Sequence, residues 1–248
     1  MKKPINIGHT NKTYMTENSI YQEKVLNKFN HKLDYALLEK FDFVPRLINE
    51  TENSVEWEYI QTKPLVFTED VLTQIANNFK TLHDSKLQFP KTNVASRVKE
   101  YRRILNERGI KIDVLNDYYK RINLILKNSE SNRPLHNDLY LNNILLDLNE
   151  KVYFIDWEYA SMGDKHFDLA YFICGSYLNK EQEEIFLNVY DTYWEEYLIQ
   201  QKILVYYLTI LWVNAQETKP FDDAGLIVKL KETVKEYEYK KSTNTFRR

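Results

Sequence analysis

The sequence predicts an α+β fold in two parts, a small antiparallel sheet followed by a mostly helical remainder. Three observations carry this expectation. Residues 1–60 hold short runs rich in β-branched and aromatic residues, separated by polar turns. From Thr68 onward, apolar residues recur at helical spacing over long stretches. One pair of short apolar runs, Ile144–Asp147 and Val152–Ile155, interrupts the helical part with a turn at Asn149-Glu150, which reads as a hairpin.

In chain order, Ile5 to Tyr14 and Ser19 to Val25 read as two strands joined around Thr16-Glu17-Asn18. Leu26 to Phe41 shows helical spacing through Leu33, Leu37 and Phe41, and Phe43-Val44-Pro45 ends it because proline disfavours helix in the residue before it. Arg46 to Asn49 and Val55 to Tyr59 form a second strand pair around Glu50–Asn53. A boundary after residue 60 then divides an N-terminal lobe, 1–60, from a C-terminal lobe, 61–248. Thr68 is placed to cap a helix whose first turn carries Glu69 and Asp70 and whose stripe is Val71, Ile75, Phe79 and Leu82. Tyr101–Leu105 and Val114–Leu126 supply further helical faces. Ile185, Val189, Tyr193 and Tyr197 form another, as do Leu204, Leu208 and Leu211. Lys240 to Arg248 is polar and is expected to fray.

Composition narrows the function classes. A chain of 248 residues can bury a large core, and its net charge of −2 offers no basic stripe for nucleic acid. One cysteine, Cys174, cannot form an internal disulfide and suggests a reducing compartment. The start lacks the apolar stretch of a signal peptide, and Ile203–Val213 is too short to span a bilayer. The expectation is a soluble cytoplasmic protein without membrane insertion.

The stretch Leu135–Asp147, followed by Val152–Asp156, carries the chemistry. Asp138 stands five residues before Asn143, and the hairpin then delivers Asp156. Phosphoryl transfer needs one group to hold the accepting hydroxyl and oxygen ligands to hold magnesium on the phosphates. The spacing matches the signature His-x-Asp-Leu-x-x-x-Asn followed by a metal-binding aspartate.

His136–Asn143 resembles the catalytic loop of the aminoglycoside phosphotransferase and choline kinase superfamily, with Asn137 where most protein kinases carry arginine. Ile155–Ala160, Gly163-Asp164 and Phe167–Ala170 are most similar to bacterial choline kinases of the licA type; thiamine kinases are similar there. Gly8–Tyr14 resembles the family's first nucleotide loop and Leu82-His83 its helix ending in Leu-His. The resemblance implies a protein-kinase-like two-lobed fold and an ATP- and magnesium-dependent kinase. Asp138 would be the catalytic base, and Asn143 and Asp156 the metal ligands. His136 and Asp168 would brace the loop. Gly8, Thr10 and Asn11 would contact ATP, with Trp57 and Tyr59 at the hinge between the lobes. The cation expected on the third strand is replaced by Gln22, so Lys24, on the same strand face, would reach the phosphates instead, with Lys12 as the alternative and Asp34 as the acidic partner.

The leading acceptor class is a small alcohol bearing a cation, choline or ethanolamine, because quaternary ammonium groups are held by aromatic faces and nearby carboxylates. Tyr140, Trp157, Tyr159 and Trp212 are the candidate aromatics, with Glu158 or Asp164 supplying charge. Fifteen acidic against eleven basic residues from Trp157 onward lean the same way. Thiamine kinase, aminoglycoside phosphotransferase and a non-catalytic nucleotide-binding regulator stay open as alternatives.

Overall fold

A computed structural model of the chain describes residues 3–5 and 11–247. Gly8 and Thr10, expected in the first nucleotide loop, lie outside the described residues. The chain opens with β1 (Lys3–Ile5), β2 (Lys12–Met15) and β3 (Ser19–Glu23), followed later by β4 (Leu47–Glu50) and β5 (Ser54–Glu58). These strands form an antiparallel sheet in the order β1-β2-β3-β5-β4. Two of its turns share the sequence Thr-Glu-Asn-Ser, before β3 and before β5. In each, the threonine hydroxyl accepts from the serine amide, Thr16 from Ser19 and Thr51 from Ser54, both at 3.0 Å. That local bond fixes the turn and therefore the register of the strand it opens.

The helix expected over Leu26–Phe41 is reduced to a 3-10 turn, Tyr35–Lys40. The reason is local competition. Asn30 Oδ1 accepts from Asn27 N at 2.8 Å, Asn27 Oδ1 accepts from Phe29 N at 2.7 Å, and Asn30 Nδ2 donates to Val25 O at 3.0 Å. Side-chain bonds of this kind give the backbone an alternative to helix. Asp34 caps the short turn through Ala36 N at 3.1 Å.

After β6 (Thr62–Lys63), α1 (Glu69–Asp84) starts where Thr68 Oγ1 accepts from Val71 N at 3.3 Å. Then come α2 (Val94–Glu107), α3 (Asp113–Asp117), α4 (Tyr119–Asn128) and β7 (Arg133–Leu135). The single helix expected over 114–126 is thus broken at Tyr118. β8 (Ile144–Asp147) and β9 (Val152–Phe154) form the expected hairpin, with Asp147 Oδ1 accepting from Asn149 N and Lys151 N, both at 2.8 Å. β10 (Ser161–Gly163) pairs with β7. α5 (Lys165–Gly175), α6 (Lys180–Tyr190), α7 (Glu195–Ala215) and α8 (Ala224–Thr243) complete the chain. The helical spacing read through Tyr197 is interrupted at Asp191, whose φ of 66° ends α6.

α7 is apolar nearly all round and packs against α2, α4, α5 and α8, as a central helix must. Phe79, Phe172 and Phe186 meet Phe154 of β9 or one another at ring distances of 4.8–6.0 Å, so the hairpin rests on a rigid aromatic bed. Among the described residues, the C-terminal segment up to Arg247 is held in place where fraying was expected. Phe246 packs on Tyr237 at 5.7 Å, and Arg247 N donates to Glu195 Oε2 at 2.6 Å. No helix among the described residues is long and apolar enough to cross a membrane.

Candidate active site

The loop from His136 to Asn143 is held by one buried carboxylate. Asp168, on α5 and wholly buried, accepts from His136 N at 2.8 Å and from Asn137 N at 2.7 Å. Its Oδ2 also accepts from His83 Nε2 at 3.2 Å, and His83 Nδ1 accepts from the Tyr190 hydroxyl at 2.8 Å. The Leu82-His83 pair therefore ends α1 by reaching under the loop. Asn137 has a φ of 65°, a left-handed conformation that asparagine tolerates and that two amides donated to one carboxylate can hold. His136 Nε2 donates to Ile155 O at 2.9 Å, and burial pushes its pKa down to about 4, so the ring is a neutral strut.

Asp138 projects from this brace. The Tyr171 hydroxyl donates to its Oδ1 at 2.5 Å, while Asn143 Nδ2 donates to its backbone oxygen at 2.8 Å and stands 3.4 Å from Oδ2. Burial pushes the Asp138 carboxyl up to about 7; the Tyr171 bond and the Arg97 charge oppose that rise, and the Glu158 charge adds to it. A carboxyl poised near neutrality can accept a hydroxyl proton. Both Asn143 contacts use its nitrogen, which leaves the amide oxygen for another ligand. Asp156 follows β9 with φ 65°, and burial together with the Glu158 and Asp138 charges raises its pKa well above the ordinary carboxylate range. Three carboxylates gathered in one low-dielectric place are under mutual repulsion, which a divalent cation would relieve. The free amide oxygen and the Asp156 carboxylate are the hard oxygen donors magnesium prefers. The donor set therefore fits magnesium.

These groups open onto a cleft of about 600 Å³ lined from both parts of the chain. On the sheet side stand Ile20, Val44, Trp57 and Tyr59, together with Thr13 and Gln22, whose side chains lie 3.5 Å apart. On the helical side stand Tyr140, Tyr206, Trp212 and Phe221. Gly175 permits this wall: a Cβ there would come within 2.9 Å of Tyr140 Cβ.

Several sequence expectations are corrected. Lys24 is absent from the cleft wall; it lies beyond the end of β3, where strand alternation no longer directs it, and pairs with Glu50 at 2.7 Å and Thr51 O at 2.9 Å. Its acidic partner is Glu50 and not Asp34. Asn11 does not face the cleft: Oδ1 accepts from Val25 N at 3.1 Å, and Nδ2 donates to Glu158 Oε2 at 3.2 Å. Glu158 lines the cleft, and its Oε2 also accepts from Asn30 Nδ2 at 2.9 Å and lies 3.2 Å from His31 Nε2, so it ties the irregular segment to the catalytic region. Asp164 caps α5 and bonds His166 Nδ1 at 2.7 Å; burial opposes its charge, but the His166 bonds hold it below its ordinary value. Trp157 borders the cleft but is 2% exposed, packed against His136 at 4.5 Å and donating to Phe154 O at 3.1 Å. Tyr159 does line the cleft, with one face covered by the Arg97 guanidinium at 4.4 Å.

Sequence reasoning missed Tyr171, Arg97, Tyr206 and Phe221. Tyr171 stands three residues after Asp168, so its helical position beside the brace was available as a signal. Arg97, Tyr206 and Phe221 had no motif to mark them.

Five-stranded sheet, helical body, intervening cleft and a braced Asp-Asn-Asp set at its floor together define a phosphotransferase of the kinase-like class. The choline/ethanolamine kinase family model matches residues 14–240, and the chain belongs to that family. A LicA homolog of Metamycoplasma hominis is 43% identical over 97% of this chain and 100% of its own length. Among solved structures, a choline/ethanolamine kinase family protein from Mesorhizobium loti is similar at a TM-score of 0.76, with 17% identity over 96% of this chain and 90% of that one. Choline kinase LicA from Streptococcus pneumoniae is similar at 0.72, with 22% identity over 96% and 93%. The chain is an ATP-dependent phosphotransferase acting on an alcohol.

Proposed function

We propose that the acceptor is choline, with ethanolamine a poorer substrate, and that the product is phosphocholine. The supporting observation is the position of Asp138, half-buried and oriented by Tyr171, at the foot of a wall built from Tyr140, Tyr206, Trp212 and Phe221. The choline hydroxyl lies two carbons from its charge, so a hydroxyl at Asp138 puts the trimethylammonium a short distance along that wall. Aromatic faces hold such a group without needing a hydrogen bond.

In this reading, residues 1–60 form the nucleotide lobe, and adenine packs among Ile20, Val44, Trp57 and Tyr59. Residues 61–248 supply catalysis and acceptor binding. Asn143 and Asp156 would hold magnesium, which supplies charge neutralisation on the transferred phosphoryl group. Asp138 orients the hydroxyl oxygen toward the γ-phosphorus and takes its proton as the new P–O bond forms. The bond to the β–γ bridging oxygen breaks, and ADP leaves with that electron pair. Asp168, His83 and His136 keep the loop in place throughout. We place the enzyme in the cytoplasm, where ATP is available and the buried Cys174 thiol stays reduced.

The test is Mg-ATP turnover over choline, ethanolamine, thiamine and kanamycin, with product identified by phosphorus NMR. Choline should give the highest kcat/KM. A better rate with thiamine or kanamycin, or no phosphocholine at millimolar choline, overturns the acceptor assignment and leaves the kinase chemistry standing.

A further inference from the structure

Arg97, on α2, is 4% exposed and lines the cleft. Its guanidinium lies over Tyr159, and its Nε and Nη1 are buried with no hydrogen-bond partner. It takes part in none of the ion pairs formed among the described residues. A buried guanidinium with idle donors is costly unless an anion arrives to use them. Tyr159 holds the charge in place by its ring face, which leaves the planar fork available.

A second observation says which anion. Among the described residues lining the cleft, Arg97 is the only cation. Gln22 and Thr13 occupy the sheet side, where the phosphate-binding cation was expected, and Lys24 is spent on Glu50. The charge of Arg97 acts on Asp138, the group to which the accepting hydroxyl would bond. The transferred phosphoryl group must pass next to Asp138, and its charge spreads over three equatorial oxygens during transfer.

We infer that Arg97 is a ligand of the phosphoryl group in transit, donating from the acceptor side to the equatorial oxygens, in place of the lysine absent from the third strand. The inference rests on the phosphoryl-transfer reading of Asp138 but not on choline being the acceptor. No bond to Arg97 forms or breaks; it donates hydrogen bonds while the alcohol oxygen replaces the ADP oxygen on phosphorus. As these contacts are made chiefly in the transition state, their loss should fall on kcat and little on KM.

The test uses the full chain with MgADP alone and with MgADP plus aluminium fluoride, a mimic of the phosphoryl group in transit, read as melting temperature. The native chain should gain a further rise from the fluoride beyond that from MgADP. R97M and R97Q should keep the MgADP rise and lose the fluoride increment, and R97K should keep part of it. In turnover with the native enzyme's preferred alcohol, R97M and R97Q should lose about 10²–10³-fold in kcat, the range for one preorganised donor, with KM for ATP little changed. A native chain without the fluoride increment, or neutral variants that retain it, overturns the assignment. Failure of choline as acceptor would leave the fluoride result readable, and R97Q covers the case in which R97M does not fold.

Discussion

The Tyr171 hydroxyl donates to Asp138 Oδ1 at 2.5 Å, from the same helix, α5, whose first turn carries Asp168. One helix thus fixes both the backbone of the catalytic loop, through Asp168, and the orientation of its carboxylate, through Tyr171. The two residues are three apart, which puts them on one face.

The Tyr171 bond stabilises the charged form of Asp138 and so holds its pKa down against burial. Tyr171→Phe should therefore move the acid limb of the kcat/KM profile to higher pH by about one unit, the equivalent of one hydrogen bond to a charged group. The sign is the informative part: activity at pH 6 should fall more than activity at pH 8. An unshifted limb would mean that Asp138 is not the titrating base.

Asp138→Asn should lower kcat by about 10²–10⁴-fold while Mg-ATP still raises the melting temperature. The same substitution should stabilise the ligand-free protein. The folded pKa of about 7 lies above the unfolded value of 3.8, so the wild-type group loses stability as pH rises from below 4 through 7. The difference between variant and wild type should grow across that window and level off above it. Chemical denaturation at pH 5 and pH 8 measures this directly.

Asp156→Asn should act in a different way. It keeps a side chain that tolerates the left-handed backbone at φ 65° but removes a charged metal ligand. Magnesium-dependent nucleotide stabilisation should shrink along with turnover, whereas nucleotide alone should stabilise as before. Unaltered magnesium dependence would move the metal to other ligands.

Lys24→Ala should cost stability and leave the KM for ATP close to that of the native enzyme. The lysine is buried against Glu50 at 2.7 Å, so its removal should destabilise by roughly 1–3 kcal/mol, below the range for a fully buried pair because Glu50 is partly solvated. A several-fold rise in KM without loss of stability would return Lys24 to the phosphates.

Trp212 and Trp157 make a matched pair. Trp212→Ala should weaken choline binding by roughly 0.5–2 kcal/mol and leave ATP affinity unchanged. Trp157→Ala should instead lower stability by about 3–5 kcal/mol, since its ring is 2% exposed and packed on His136. Equal effects of both on choline KM would contradict the assignment of the choline contact to Trp212 and of a packing role to Trp157.

The sequence by itself determined what depends on short spacing. Asp138, Asn143 and Asp156 lie within one loop and one hairpin, so their chemistry and order could be read before any fold was known. The cap at Thr68, the strand pairs of the sheet and the helical character of the remainder rest on local bonds and periodicity, which a linear pattern records. The interrupted elements were less legible. Asn27 and Asn30 turn an apparently helical run into an irregular one through side-chain bonds that apolar spacing does not reveal.

Only the tertiary structure decided which way the remaining candidates face. Trp157 and Glu158 border the cleft, yet the ring of one packs on His136 and the carboxylate of the other is held by Asn30, both distant in sequence, whereas Asp164 is claimed locally by His166, two residues on. Arg97 is the converse case. Its position on an ordinary amphipathic helix gives no sign of function, and burial with idle donors in the cleft that Asp138 also lines emerges only when α2 packs on α7. Residue spacing fixes which groups are present along a short segment; long-range packing fixes their hydrogen-bond partners, and those partners decide which groups remain free to meet a ligand.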